Sequence, residues 1–188
     1  MFDVLGPSWV QADKVELFAN GQPIREAKIS GNKKSGVKWT GTWKLPAFRH
    51  DVHLVAVASG PPVRELYWPI ARPYQATSTK VERRVLGISG AVWLDADADR
   101  KKASAHDYAR RLVDAVWPSV PKVIASLADY DEAIAAQAAA LLRTKGVAIN
   151  DEPIRAAARK AGSHVDRAFQ AYFEAWRQSQ VARNQEDK

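Results

Sequence analysis

Residues 90–107 read GAVWLDADADRKKASAHD, and within them the sequence changes from a strand-like to a helix-like pattern. The apolar run that ends at Leu94 is typical of a β-strand, whereas the alanine-rich sequence that starts at Ser104 is typical of helices. Between the two runs lie aspartates that alternate with alanines: Asp95, Asp97 and Asp99. The stretch therefore predicts a junction between a β-rich part and a helical part, and an α+β fold.

The residues before the junction favour an antiparallel β-structure. Short β-branched and aromatic runs are separated there by Gly, Pro, Asn and Ser, with no helical stretch between them. The predicted strands are residues 2–5, 14–19, 23–29, 37–45, 52–59, 65–71 and 85–95. About seven strands at this spacing predict an immunoglobulin-like β-sandwich over residues 1–100.

Asn20-Gly21 is the clearest turn signal in this part, because both residues tolerate the positive φ of a two-residue hairpin turn. Such a turn places Leu17 opposite Ile24. It also places Glu16 opposite Arg25, so that one face of the hairpin is apolar and the other carries an ion pair between the strands.

Residues 101–188 predict a helical unit whose polar C-terminal tail is frayed. The predicted helices are residues 104–117, 122–127, 130–145, 152–161 and 163–182. Ser104 is a suitable N-cap, and Asp107 supplies the acidic side of a capping box three residues later. Gly146 stands where the third helix needs its C′ residue. In the last helix one apolar stripe consists of Val165, Phe169, Tyr172 or Phe173, and Trp176.

The composition limits the classes of function. The chain has no cysteine, which excludes disulfides, thiolate metal sites and cysteine nucleophiles. Its net charge of +7 is spread evenly: residues 1–98 carry 13 Lys and Arg against 9 Asp and Glu, and residues 99–188 carry 15 against 12. A nucleic-acid-binding domain usually concentrates its basic residues on one face, so we do not expect a nucleic-acid partner.

The hydropathy pattern predicts neither a membrane span nor a signal peptide. No apolar run approaches the roughly 18 residues of a membrane span. The first residues, MFDVLGPSWVQADK, lack the basic start and the apolar core of a signal peptide. Both a cytoplasmic location and export as part of a larger protein stay open, and the sequence does not predict an oligomeric state.

Catalytic motifs are missing from the sequence. There is no P-loop, no GxGxxG and no GxSxG, and none of the histidines has the spacing of a metal-binding motif. These histidines are His50, His53, His106 and His164. We therefore expect no enzymatic activity, no catalytic residue and no bound cofactor for this chain alone.

The aspartates of the junction have two interpretations. Their D-x-D-x-D spacing matches positions 1, 3 and 5 of a calcium loop, in which alternate carboxylates converge on a hard cation. The remainder of the loop departs from that pattern, because Arg100 replaces the turn glycine, Lys101 follows it and His106 replaces the bidentate glutamate. The alternative is a strand-to-helix connector whose carboxylates are solvated or pair with neighbouring cations. If Asp95, Asp97 and Asp99 bind a metal, Ca²⁺ is expected to bind weakly.

Trp39 and Trp43 are the candidate residues for a ligand-binding or interface surface. They lie four residues apart in one strand-like run and are predicted to share a face. Exposed tryptophans could stack on sugar rings or anchor a partner. The alternative, which the apolar sequence context favours, is that tryptophans of the β-part fill its core.

Five segments, taken together, resemble the C-terminal region of bacterial metallohydrolases of the PHP type (polymerase and histidinol phosphatase), in the carbaryl-hydrolase-like branch. These segments are GPSWVQADKVELFANG (6–21), VKWTGTWKLP (37–46), HDVHLVAVASG (50–60), YWPIARPYQ (67–75) and GAVWLDADAD (90–99). The resemblance covers mainly residues 2–100.

The resemblance implies a non-catalytic accessory or interaction module. In that family a separate upstream domain carries the histidines and acidic residues that hold divalent metal ions and hydrolyse ester-type bonds. A PHP-type catalytic domain is therefore the expected partner. Two alternatives stay open: a stand-alone β-sandwich that binds glycans or calcium, and a hydrolase with an unrecognised site.

Overall fold

A computed structural model describes residues 1–30, 35–63 and 84–186, and it confirms the α+β class. In this part of the chain seven strands precede five α-helices. The chain divides into two compact units. The first comprises residues 1–47 and 53–93, and the second comprises residues 48–52 and 94–188. The second unit therefore takes a short segment from within the β-part.

The strands of the first unit form two antiparallel sheets. The strands are β1 (Phe2–Gly6), β2 (Lys14–Ala19), β3 (Gln22–Lys28), β4 (Gly36–Gly41), β5 (Val52–Gly60), β6 (Val85–Ile88) and β7 (Val92–Leu94). β1 pairs with β4, and the second sheet has the order β3-β2-β5-β6, with β7 also paired to β5. No pairing among the described strands joins the two sheets, so the observed architecture is a pair of open sheets. The predicted strand over residues 65–71 lies outside the described residues.

The hairpin turn is where the sequence places it, but its register is different. Asn20 and Gly21 both have positive φ, 48° and 83°. A bulge between Leu17 and Phe18 then shifts the register, so that Leu17 lies opposite Arg25 and not opposite Ile24. Phe18 lies opposite Pro23, which has no N–H for the ladder, and the extra residue follows that proline.

The predicted ion pair between Glu16 and Arg25 is therefore wrong. Glu16 lies opposite Glu26, and its carboxylate pairs with the Lys14 ammonium of its own strand at 2.9 Å. The Arg25 guanidinium donates instead to the main-chain carbonyl of Lys44 at 2.9 Å.

Two other strands differ from their predicted lengths. The predicted strand over residues 37–45 ends at Gly41, and the one over residues 85–95 is divided into β6 and β7. Ser89 lies at the division: its N–H donates to the Ala56 carbonyl at 3.0 Å, and its hydroxyl accepts from the Ala56 N–H at 2.9 Å. This side chain takes the place of a main-chain acceptor, which preserves the pairing with β5 where the strand is interrupted.

The second unit consists of helices that follow the predicted order. They are α1 (Ala105–Val116), α2 (Val120–Ser126), α3 (Glu132–Thr144), α4 (Glu152–Ala161) and α5 (Ser163–Glu186), with a 3-10 turn at Leu127–Asp129. The predicted capping box is present, since Ser104 and Asp107 bond reciprocally at the start of α1. Gly146 follows Lys145, the C-cap of α3, and has φ 86°, as a C′ glycine does. α5 continues to Glu186, beyond its predicted end near residue 182.

The helices share one apolar core. Ile124, Leu127, Ile134 and Leu142 are fully buried in it, and α5 adds its predicted stripe through Val165 and Phe169. Trp176 lies further along α5, with the Arg143 guanidinium 4.0 Å from its ring centroid. In the described ranges, no helix combines the length and the apolar character needed to cross a bilayer.

Candidate functional site

The junction is organised by an aspartate that the sequence patterns do not single out. Asp51 belongs to the short segment 48–52 of the helical unit, and only 3% of its surface is exposed. One carboxylate oxygen accepts the N–H of Ala96 at 3.1 Å, and the other accepts the N–H of Ala103 at 2.9 Å. Asp51 therefore fastens both ends of the segment 95–103, which we call the aspartate loop.

Within the aspartate loop, the predicted aspartates bond to the main chain that follows them. Asp95 accepts the N–H of Arg100 at 2.9 Å, and Asp99 accepts the N–H of Lys101 at 2.7 Å. Asp97 accepts the N–H of Asp99 at 3.3 Å. These bonds are typical of aspartates in tight turns. The alternating aspartates therefore have a structural role, because they stabilise the turns of the connector between strand and helix.

Two residues of the loop have left-handed backbone conformations. Ala98 has φ 59° and Arg100 has φ 61°. Arg100 occupies the position that a calcium loop gives to glycine, and the chain makes a left-handed turn there even though arginine is disfavoured in it. The departure of the sequence from the calcium-loop pattern at this position therefore does not remove the turn.

Tyr108 links Asp51 to Asp97. Its hydroxyl donates to the Asp97 carboxylate at 2.5 Å and accepts the Asp51 N–H at 3.2 Å. Burial, followed by the hydrogen bond to Asp97, raises the pKa of Tyr108 to about 12. The same hydrogen bond is the main cause that lowers the pKa of Asp97 below its usual value. The tyrosine thus stays neutral and the aspartate ionised over a wide pH range.

His50 is buried beside this network. Its Nε2 lies 3.7 Å from the carboxylate of Asp131, which also accepts the Ile134 N–H at the start of α3. The imidazole packs against the rings of Tyr108 and Tyr130, each with its centroid 5.8 Å away, and these two rings also contact each other. These contacts give His50 a structural role that joins the segment 48–52 to the helices.

Three carboxylates at the junction converge. Ligand oxygens of Asp51, Asp95 and Asp97 lie within 4.8 Å of one another. Asp99 is not part of this group, so the geometry combines two of the three predicted aspartates with the buried Asp51. Carboxylate oxygens at this spacing suit a hard cation such as Ca²⁺. The hydrogen bonds described above account for the same arrangement without an ion, and calcium binding stays a prediction.

Trp39 and Trp43 belong to an aromatic cluster of the first unit. Their ring centroids lie 5.6 Å apart, and Phe2 contacts both at 5.3 and 4.9 Å. The cluster packs on the buried residues Ala12, Val15 and Ile29. Both tryptophans are half-buried, and this packing accounts for their position. Their predicted role in ligand binding or at an interface stays a prediction.

A cleft opens between the two sheets of the first unit. Its volume is about 470 Å³, and its lining is mostly apolar. β1 and β6 contribute much of the wall. Among the described residues, Lys38 and Asp3 are the charged ones that line it, and Lys38 is only 5% exposed.

At the mouth of the cleft and beyond it, large apolar side chains of β6 and β7 face solvent, and two of them, Leu86 and Ile88, also line the cleft. Leu86, Ile88 and Val92 are exposed by 60, 67 and 59%. We call these three residues the apolar strip. Among the described strands, β6 is the last of its sheet, and its sequence, Val-Leu-Gly-Ile, carries none of the charges or prolines that usually protect an exposed strand edge.

No protein-family model, curated protein or solved structure matches the chain. The resemblance to the accessory region of PHP-type metallohydrolases accordingly rests on the sequence segments given above.

Proposed function

We propose that this chain is a non-catalytic interaction module that accompanies a metal-dependent hydrolase domain of the PHP type. The observation that carries the proposal is the exposed apolar strip, Leu86, Ile88 and Val92, on β6 and β7 at the edge of the sheet that the described strands form. Exposed apolar groups on neighbouring strands mark a surface that a partner covers. The five sequence segments that resemble the PHP-type accessory region name the class of that partner.

The proposal includes an immunoglobulin-like arrangement for the first unit. Two antiparallel sheets with a tight Asn-Gly hairpin support it, as does the aromatic cluster packed on one sheet. In this arrangement the first unit presents the apolar strip, and the divalent metals and the catalytic residues belong to the partner domain. Nucleic acid is not a proposed partner.

Binding to a separately expressed PHP-type catalytic domain tests the proposal. The chain is expected to bind that domain in a calorimetric titration, and Ile88→Glu is expected to weaken binding at least tenfold, because it places a charge in a desolvated contact. Gln178→Glu, an equal change of charge at an exposed position of α5, is the control and should leave the affinity unchanged. Equal affinity for the Ile88 variant and the native chain would show that the apolar strip is not the contact surface.

A second candidate function is calcium binding at the aspartate loop. The convergence of Asp51, Asp95 and Asp97 within 4.8 Å favours it, and so does the left-handed turn at Arg100. Arg100, Lys101 and Lys102 oppose it electrostatically, so we propose a weak site with a dissociation constant on the order of 1 mM.

Thermal unfolding with and without Ca²⁺ tests this second candidate. A ligand at ten times its dissociation constant stabilises the folded state by about 1.4 kcal/mol, so 10 mM Ca²⁺ should raise the melting temperature measurably above the value in EGTA. Asp95→Asn with Asp97→Asn should abolish the rise. Arg100→Gly should enlarge it, because glycine removes one cation and suits the left-handed turn. An equal melting temperature in Ca²⁺ and in EGTA refutes the calcium site.

A further inference from the structure

We propose that the partner domain contributes an extended segment that pairs with β6 as an added strand and places its apolar side chains in the cleft of the first unit. This inference rests on the proposed function, and it names the form in which the partner meets the apolar strip. Leu86 and Ile88 are exposed members of the strip, and both also line the cleft. The strip and the cleft are therefore continuous, and one partner segment can cover both.

The main chain of β6 offers hydrogen bonds on the side that faces away from β5. In an antiparallel pair, residues whose N–H and C=O groups bond to the neighbouring strand alternate with residues whose groups point the other way. The Ser89 N–H donates to the Ala56 carbonyl at 3.0 Å and so points toward β5. Gly87, two residues earlier, has the same orientation, and Leu86 and Ile88 alternate with it. Among the described strands, none pairs with β6 on the side to which the main-chain groups of these two residues point.

The side chains of the same two residues place the cleft beside an added strand. Leu86 and Ile88 lie two positions apart in β6, so their side chains are on one face of the sheet. Both line the cleft, so this is the face that the cleft adjoins. A strand paired with β6 would lie about 4.8 Å from it and continue that face. Every second side chain of the added strand would therefore point toward the cleft.

The size and the lining of the cleft define the chemistry of the partner segment. Its volume of about 470 Å³ lies within the range of roughly 300–1,000 Å³ that is usual for binding pockets. Its lining is mostly apolar, with Val4 and Val10 among the contributors. An unpaired charge is costly to bury there, so we expect apolar residues at alternate positions of the segment and polar residues between them. In recognition by an added strand, main-chain hydrogen bonds supply affinity and side-chain pockets supply specificity.

Amide hydrogen exchange in β6, measured by NMR on the full chain, tests the inference. In the free chain the N–H groups of Leu86 and Ile88 should exchange faster than those of Val85 and Gly87, which face β5. Adding a PHP-type catalytic domain should slow exchange at Leu86 and Ile88 by about tenfold or more and change the other two much less. Slow exchange at Leu86 and Ile88 in the free chain would show that this side of β6 is already paired. That result, or protection by the domain without alternation, would overturn the inference.

Leu86→Pro separates strand pairing from side-chain contact. Proline removes the N–H that would bond to the added strand, and an edge strand tolerates it where that N–H faces solvent. Leu86→Ala is the matched control, because it shortens the side chain and keeps the N–H.

The proline variant should bind the catalytic domain about tenfold more weakly than the alanine variant, as measured by calorimetric titration. Equal affinities of the two variants would overturn the strand pairing and leave the interaction-module proposal in place. If the native chain does not bind the catalytic domain, the proposed function fails and this inference fails with it. If Leu86→Pro does not fold, the exchange pattern of the native chain decides.

Discussion

The buried carboxylate of Asp51 accepts hydrogen bonds from two main-chain N–H groups, those of Ala96 and Ala103, in place of bonds to water. Ala103 is itself 2% exposed, so its N–H has no access to bulk water when the carboxylate is removed. A buried donor left without an acceptor costs about 1–3 kcal/mol, and hydrogen bonds to a charged group are worth about 1.5–3 kcal/mol.

Asp51→Ala is therefore expected to lower the free energy of unfolding by about 2–4 kcal/mol. Asp51→Asn, which keeps one acceptor oxygen, should lower it by less. Asp99→Ala removes an exposed carboxylate that, within the described residues, accepts the Lys101 N–H, and it should cost about 1 kcal/mol or less. Urea unfolding followed by helical circular dichroism measures all three. An Asp51→Ala variant as stable as Asp99→Ala would show that the aspartate loop does not depend on Asp51.

The bond between Tyr108 and Asp97 makes stability depend on pH at both ends of the range. The pKa of Asp97 is lowered in the folded state, so its contribution is present above the unfolded pKa and is lost as the pH falls through the folded value. The pKa of Tyr108 is raised from 10.0 to about 12, so its contribution is complete below pH 10 and is lost as the pH rises from 10 to 12.

Tyr108→Phe should remove both dependences. The stability difference between the native chain and this variant is expected to be largest between about pH 5 and 9 and to shrink below pH 4 and above pH 10. Tyr172→Phe, a half-buried tyrosine of α5, controls for the loss of a phenol group. Urea unfolding over this pH series is the measurement. A difference that stays constant with pH would refute the coupling between the two side chains.

At the residue scale, the sequence predicted the carboxylate pattern but not its organiser. The D-x-D-x-D spacing identifies Asp95 and Asp97 because alternate positions converge in a tight turn. Asp51 is 44 residues away from Asp95 in the sequence, and it lies between His50 and His53 without a motif of its own. Its role depends on the tertiary path of the segment 48–52, which local periodicity does not contain.

At the scale of single elements, β4 illustrates how an aromatic side chain can require a glycine. The Trp39 ring covers Gly41 so closely that an added Cβ would lie 1.9 Å from the ring. Gly41 is the last residue of the strand, and Trp43 contacts Trp39 from beyond it.

Gly41→Ala should displace the Trp39 ring and lower the free energy of unfolding by about 1–3 kcal/mol, as overpacking does. The change should also alter tryptophan fluorescence and near-ultraviolet circular dichroism. Gly87→Ala in β6 is the matched control, because its added Cβ would meet nothing within 4 Å, and it should be nearly neutral. If the two variants are equally stable, the ring does not rest on Gly41.

Element boundaries followed the sequence wherever a local interaction sets them. The capping box of α1 and the C′ glycine of α3 were predicted because both depend on residues within one turn of the helix end. The hairpin register was not predicted correctly, because the bulge next to Pro23 follows from strand pairing. The interruption between β6 and β7 was not predicted either, because Ser89 bonds there to Ala56, which is distant in the sequence.

At the scale of the whole molecule, the change from a strand-like to a helix-like pattern predicted the α+β order, with a β-part over residues 1–100 and a helical unit over residues 101–188. The two compact units divide after residue 93, and residues 48–52 belong to the second unit. The proposed function combines the apolar strip of the first unit with the PHP-type resemblance, so the proposed contact surface lies on the β-part. The helical unit has a complete core of its own and is held to the segment 48–52 by His50 and Asp51.

The most direct test of the interaction-module proposal is the activity of a PHP-type metallohydrolase domain with and without this chain. We expect the purified chain alone to have no esterase or phosphoesterase activity, and its addition to raise the melting temperature or kcat/KM of the separate catalytic domain. Ile88→Glu should reduce that effect. Hydrolysis by the chain alone, or a catalytic domain whose stability and activity do not change when the chain is added, would contradict the proposal.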